Sequence, residues 1–187
     1  MKLQLDKSEF LQKELIHLGY IITEEGIRSD SSKLIAVKDF PVPKKIKDIQ
    51  SFIGLAGYYR KFIENFSKIA KQSMKSFLTS LTKKGVAFDW KIEQQNAFEL
   101  LKVKLTTAPI LSYPDFTQEF VVTTDVSDLA IGAVLSQGPV SQNRPIAYAS
   151  RILNKAERNY NTTEKELLAI VWAVKYFRLY LYDTIFK

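Results

Sequence analysis

Cysteine is absent from this 187-residue chain, and histidine occurs once, at His17. No disulfide, thiolate metal site or cysteine nucleophile can therefore form, and the chain suits a reducing, intracellular compartment. A lone imidazole far from any acidic cluster gives poor support to a Ser-His-Asp triad, and its ordinary place is a surface or strand edge. One His and no Cys also argue against a zinc enzyme. There is no glycine-rich phosphate loop of the P-loop ATPase kind. No apolar run approaches the ~18 residues of a membrane span, and no signal or transit peptide is visible. Internal repeats and low-complexity tracts are missing too. These absences imply a soluble intracellular protein, in cytoplasm or nucleus, with no membrane partner; they leave its oligomeric state open.

What is present is a sequence able to build cores, at 46% hydrophobic residues, with a net charge of +7. The placement of that charge says more than its size. Residues 44–75 carry eight Lys or Arg against two Asp or Glu, so nearly the whole excess lies in one 32-residue segment. Such a patch is the usual electrostatic footprint of a phosphate-backbone contact, and equally of a solvated helix face.

The periodicity changes along the chain. Residues 3–23 alternate well enough for a short two-stranded unit around 9–11 and 15–22, with Glu24-Glu-Gly26 as its turn. Ser29-Asp-Ser-Ser offers an N-cap to a brief helix at about 31–38, which Phe40-Pro-Val-Pro stops. From Ile46 the apolar residues recur with helical spacing, interrupted by Gly54 and Gly57. Glycines three apart on a helix imply close approach, either of a nucleic-acid strand or of a packed neighbour. Further helices are expected over 68–82 and 91–106, the latter burying Phe98, Leu101 and Leu105. After the linker Tyr113-Pro-Asp115 come strands at about 118–124, 131–137 and 144–149, forming an antiparallel meander. A helix at about 162–181 follows, with Leu167, Ile170, Val171, Val174 and Phe177 as its expected inner face. The fold class is α+β: a small β-hairpin and a helical part ending near 110, then an α/β unit of three antiparallel strands and one helix.

Two carboxylates in the second unit carry possible chemistry. Phosphodiester hydrolysis at neutral pH needs an activated water and a stabilised leaving oxyanion, which two Mg²⁺ ions held by several carboxylates supply. Asp125, at the end of a hydrophobic strand taken as central, and Glu166, one turn into the facing helix, have suitable oxygen ligands. Local alternatives compete. Thr163-Glu-Lys-Glu166 reads as a capping box, Asn161-Thr-Thr-Glu164 as another, and Asp125 as an ordinary turn residue.

Longer strings add to this reading. Thr124-Asp-Val-Ser-Asp-Leu-Ala-Ile-Gly-Ala-Val-Leu-Ser-Gln137, Pro145-Ile-Ala-Tyr-Ala-Ser-Arg151 and Tyr160-Asn-Thr-Thr-Glu-Lys-Glu-Leu-Leu-Ala-Ile-Val-Trp172 resemble the ribonuclease H module of Ty3/gypsy retrotransposon Pol polyproteins. His17-Leu-Gly19 and Ile49-Gln-Ser-Phe-Ile-Gly-Leu-Ala-Gly-Tyr-Tyr-Arg-Lys-Phe-Ile63 resemble the end of the reverse transcriptase palm and its thumb. Phe88-Asp-Trp90 and Leu105-Thr-Thr-Ala-Pro-Ile-Leu111 are similar to the connecting segment. The resemblance implies the palm end over 1–43, thumb and connection over 44–116, and the N-terminal half of an RNase H-like domain over 117–187. It implies RNA-directed DNA polymerase and ribonuclease H activity in the family, with RNA–DNA hybrid or template–primer duplex as partner. Asp125 and Glu166 would then be catalytic metal ligands for Mg²⁺, and Lys45, Arg60 and Lys61 thumb contacts to phosphate.

The chain departs from the family pattern. It contains no Tyr-x-Asp-Asp turn and no Thr-Asp-His string, so the polymerase aspartates and two nuclease aspartates are missing. The link Lys71-Gln-Ser-Met-Lys-Ser-Phe-Leu-Thr-Ser-Leu-Thr-Lys83 is longer than the family's. Lys91 stands where a capping Ser or Thr is expected, a loss of ~1 kcal/mol. The expectation is a fragment with weak Mg²⁺ binding, little hydrolysis alone, and exposed apolar surface with low stability in residues 117–187. The alternative is a non-catalytic nucleic-acid-binding remnant or domesticated module.

Overall fold

The computed structural model describes residues 11–71, 90–139 and 143–187. Its two three-stranded antiparallel sheets and their helices give the α+β architecture that the periodicities imply. The first sheet has one strand more than expected: β1 (Glu14–His17), β2 (Tyr20–Thr23) and β3 (Gly26–Ser29), in that order. The run 15–22 is not one strand because Leu18 and Gly19 both take positive φ, 49° and 74°, and turn the chain back on itself. Residues 9 and 10 lie outside the described residues. Gly26 does make the expected turn, at φ 146°. Its missing side chain also admits the linker: Leu111 bridges Ile27, and a Cβ on Gly26 would overlap the Leu111 carbonyl.

Asp30 caps α1 (Ser31–Lys38), its side chain accepting from the Ser32 N–H at 2.9 Å. After the prolines come α2 (Ile46–Tyr58), a 3-10 turn (Arg60–Phe62) and α3 (66–71). The remainder of the helix expected over 68–82 falls outside the described residues. α4 (Ile92–Thr106) buries Phe98, Leu101 and Leu105 as its spacing requires, and Phe52 of α2 meets Phe98 at 4.5 Å between ring centroids. The N-terminus of α4 recovers part of the missing cap, since Gln94 Oε1 accepts from the Lys91 N–H at 3.0 Å. The first sheet is tied to α2 by tyrosines. Tyr58 and Tyr59 donate their hydroxyls to the carbonyls of Leu18 and Gly19, and Tyr20 stacks on Tyr58.

The second sheet is β4 (Phe120–Val126), β5 (Ala130–Gln137) and β6 (Arg144–Ile152). The middle strand is β5, not the Asp125-bearing β4. The outer edge of β4 instead meets the last residues of the chain, through a parallel bridge between Phe120 and Phe186. β5 is buried almost throughout, which explains why Ala-Ile-Gly-Ala-Val-Leu shows no alternation: both of its faces are covered.

One face is covered by α5 (Thr162–Tyr176) and α6 (Arg178–Leu181), but not by the side chains that periodicity selects. Ala169 and Ala173 are fully buried with Phe177, and Lys165 is 9% exposed. Leu167, Ile170 and Val171 face outward at 58%, 49% and 54% exposure. Small residues let the helix axis approach the sheet, so alanine rather than leucine marks the inner face. The phase is testable. Ala169→Leu should overpack the sheet and lower stability by about 1–3 kcal/mol, whereas Leu167→Ser should change it by no more than ~0.5 kcal/mol, both read by urea unfolding.

Of the two capping boxes proposed for α5, the one formed is that of Asn161 and Glu164. Asn161 N–H donates to Glu164 and Glu164 N–H to Asn161 Oδ1, each at 2.9 Å. Glu166 takes no part and stands exposed one turn into the helix. Glu164→Ala should therefore cost about 1 kcal/mol of stability, and Glu166→Ala a small fraction of that, in the same unfolding experiment.

Candidate functional site

In a β-strand successive side chains leave opposite faces, and the register across the second sheet therefore sorts the candidate residues. Thr124 pairs with Ala133 and Ala133 with Ala149; this row packs with Ala173 and Phe177 beneath α5. The next row is Asp125, Gly132 and Ser150, and it leaves the opposite face. Asp125 is exposed near the end of β4. Its carboxylate accepts from Asn65 Nδ2 at 3.4 Å, and Asn65 belongs to the helical unit.

Glu166 lies on α5, the layer against the other face, yet at the same end of the sheet. Its neighbour Lys165 reaches from α5 to Asp128, in the β4–β5 turn, at 2.7 Å. That hydrogen bond and the charge of Lys165 hold the Asp128 carboxyl below its ordinary range. Asp125 and Glu166 thus flank one end of the sheet from its two sides. Both are hard oxygen donors of the kind magnesium takes. Among the described residues, however, no three His, Cys, Asp or Glu side chains converge as a metal cage. The donors fit magnesium in chemistry and fall short in number.

The face bearing Asp125 is covered by the end of the helical unit. Ser67 N–H donates to Ser150 Oγ at 2.9 Å, and the Ser150 hydroxyl donates to Ser67 Oγ at 3.0 Å. A Cβ on Gly132 would overlap Asn65 Oδ1. Tyr148, on the same face, packs against the first core, and burial raises its hydroxyl pKa, with the Glu64 carboxylate adding to the effect. The sequence reading missed Asn65, Gly132 and Ser150. No local sequence pattern marks them, and only in the structure does Asn65 show its positive φ (55°) just before α3.

The three basic candidates differ in setting. Lys45 precedes α2 with its side chain 71% exposed, 4.0 Å from Asp48. Arg60 is exposed at the start of the 3-10 turn. Lys61 is half-buried, its ammonium 3.8 Å from the centroid of the Tyr20 ring, and burial lowers its pKa. Tyr20 beneath it is pushed up to about 12, first by burial and then by its contact with Tyr58. Along α2, Lys47, Ser51, Gly54 and Tyr58 are exposed at helical spacing. Among the described residues a Cβ at Gly54 or Gly57 would meet nothing within 4 Å, so tight helix packing there does not account for these glycines.

Comparison with known proteins agrees with this architecture. Residues 90–187 match the family described as "RNase H-like domain found in reverse transcriptase". The chain is 52% identical over 182 residues to the retrovirus-related Pol polyprotein from transposon 297 of Drosophila melanogaster, covering 97% of this chain and 16% of that protein. It is 36% identical over 180 residues to the transposon Tf2-3 polyprotein of Schizosaccharomyces pombe, covering 96% of this chain and 13% of that one. The chain thus spans about a sixth or less of the length of these curated relatives. Foamy viral protease-reverse transcriptase in complex with dsDNA superposes with a TM-score of 0.78 at 27% identity, over 96% of this chain and 37% of that one. The same enzyme in complex with RNA/DNA hybrid gives 0.76 at 27% identity, over 96% and 24%. In the described residues no helix is long and apolar enough to cross a membrane. From its sequence and its fold alike, the chain belongs to the reverse transcriptase/RNase H-like region of Ty3/gypsy-type retrotransposon Pol polyproteins.

Proposed function

We propose that the chain serves RNA-directed DNA synthesis and hybrid hydrolysis within a retrotransposon reverse transcriptase. Residues 1–43 would close the palm, 44–116 form thumb and connection, and 117–187 begin the RNase H-like domain. The carrying observation is the likeness, over 96% of the chain, to an enzyme whose solved complexes hold double-stranded DNA and RNA/DNA hybrid. The partner on this reading is a template–primer duplex or an RNA–DNA hybrid. Recognition of such a hybrid rests on helix shape and the 2′-hydroxyl rather than on base sequence.

Duplex would lie along the exposed strip of α2. Gly54 lets a backbone approach that strip, while Lys45 and Arg60 neutralise phosphates at its two ends. Lys61 contributes through the charge it shares with the face of Tyr20. Fluorescence anisotropy against salt concentration tests this: Lys45→Ala and Arg60→Ala should each flatten the slope of log affinity by about 0.9 per lost phosphate contact. Gly54→Ala should separate binding from folding. With open space around it, the alanine should stabilise α2 by up to ~1 kcal/mol, and the same substitution should weaken duplex binding if a strand comes close there.

Magnesium, when bound, would activate water and stabilise the leaving 3′-oxygen. Asp125 and Glu166 would supply two of its ligands, and no other contribution to the chemistry is assigned to them. With these two carboxylates only, the 187 residues by themselves should bind Mg²⁺ weakly and cut little. The absence of a three-residue cage among the described residues favours a second reading, a module that binds nucleic acid without hydrolysing it. Hydrolysis of a labelled RNA–DNA hybrid that needs Mg²⁺ and is lost in Asp125→Asn supports the nuclease reading. Salt-dependent binding without cleavage, unchanged in Asp125→Asn, selects the second.

A further inference from the structure

We infer that Asn65 is the positioning residue for Asp125: the helical unit supplies the amide that orients the nuclease-side carboxylate. The inference rests on the reading of Asp125 as that carboxylate. Four observations meet at this point. Asn65 occupies the left-handed region at φ 55°, where asparagine is tolerated far better than most side chains. Its backbone carbonyl accepts from the N–H groups of Lys68 and Ile69 at the start of α3, at 3.0 and 3.2 Å, so its main chain is fixed. Its side-chain oxygen lies against Gly132, directly across the sheet from Asp125, in space that any other residue's Cβ would occupy. Its side-chain nitrogen donates to Asp125 Oδ2.

The seat is built rather than incidental. Two residues on, Ser67 exchanges hydrogen bonds with Ser150, the Gly132 partner on the third strand. Residues 65–67 therefore touch a complete row across the sheet, from Asp125 through Gly132 to Ser150. A carboxylate at a strand end is free to rotate about two side-chain bonds. One donor from a fixed backbone removes much of that freedom, while among the described residues the second carboxylate oxygen stays open. Outer-shell hydrogen bonds of this kind orient metal-binding carboxylates and commonly change affinity by about 10–100-fold.

The test uses the full 187-residue chain with ¹³C at the aspartate side-chain carboxyls, the Asp125 signal being the one lost in Asp125→Asn. Asn65→Gly keeps the backbone conformation and removes the amide; Asn65→Asp keeps the shape and removes the donor, and it stands in if the glycine variant folds poorly. Ser150→Ala breaks the neighbouring contact and leaves Asn65 in place. The Asn65 variants should move the Asp125 signal while those of Asp115 and Asp128 stay put, and Ser150→Ala should leave it near its original position. Added Mn²⁺ should broaden the Asp125 signal at about 10-fold higher concentration in Asn65→Gly, whereas Asn65→Asp, which adds a carboxylate beside Asp125, serves only the displacement test. An Asp125 signal unmoved in both Asn65 variants overturns the inference, as does an equal displacement by Ser150→Ala. If Mn²⁺ leaves Asp125 sharp even in the unaltered chain, the metal reading of the site fails, and the carboxyl displacement alone still decides the role of Asn65.

Discussion

The empty space at Gly132 is the constraint on which the rest of the molecule depends. Because this residue has no side chain, the turn between the 3-10 segment and α3 can lie flat on the second sheet, with Asn65 filling the gap. The sheet is then closed on one face by α5 and on the other by the helical unit, and β5 between them is buried along nearly its whole length. Packing on both faces makes the two units one body around Tyr148, Ser150 and Gly132. A side chain at 132 would push against the side-chain amide of Asn65, and the displacement would pass to the Asp125 carboxylate that this amide holds.

The linker is fastened with similar economy. Gln137, buried at the end of β5, donates to the carbonyls of Asp115 and Gln118 and accepts from the Asp115 N–H. Leu111 meanwhile pairs with Ile27 in the first sheet, and the Tyr113 hydroxyl donates to the Thr23 carbonyl at 2.8 Å. The stretch between 111 and 118 has no regular structure, yet its backbone groups find partners in both sheets. Buried or half-buried polar groups must be satisfied somewhere, and a single buried amide side chain does much of this at one end.

Legibility from sequence followed the physics of each element. Strands β4 and β6 and helices α2 and α4 are readable because their apolar residues recur at the period of the element, and β5 because it is a short apolar run bounded by polar turns. The phase of α5 is not, because periodicity weighs side chains by size, and here the close approach of helix to sheet selects Ala169 and Ala173. The first sheet was misjudged for a local reason: Leu18 adopts a left-handed conformation that a hydrophobic residue does not advertise. Of the candidate site, Asp125 and Glu166 could be singled out as carboxylates on rigid elements, and the family resemblance gave them a role. Asn65 could not be found that way, since its partner is 60 residues distant and the link between them is a glycine in register.

The short parallel pairing of Phe186 with Phe120 has a topological consequence. β6 runs in the same direction as β4, so the path from β6 through α5 to residue 186 is a crossover between parallel segments that spans the whole sheet. Such crossovers are right-handed in nearly every protein. Handedness therefore assigns α5 to one side before any side chain is compared, and it leaves the Asp125 side vacant for the preceding part of the chain to occupy.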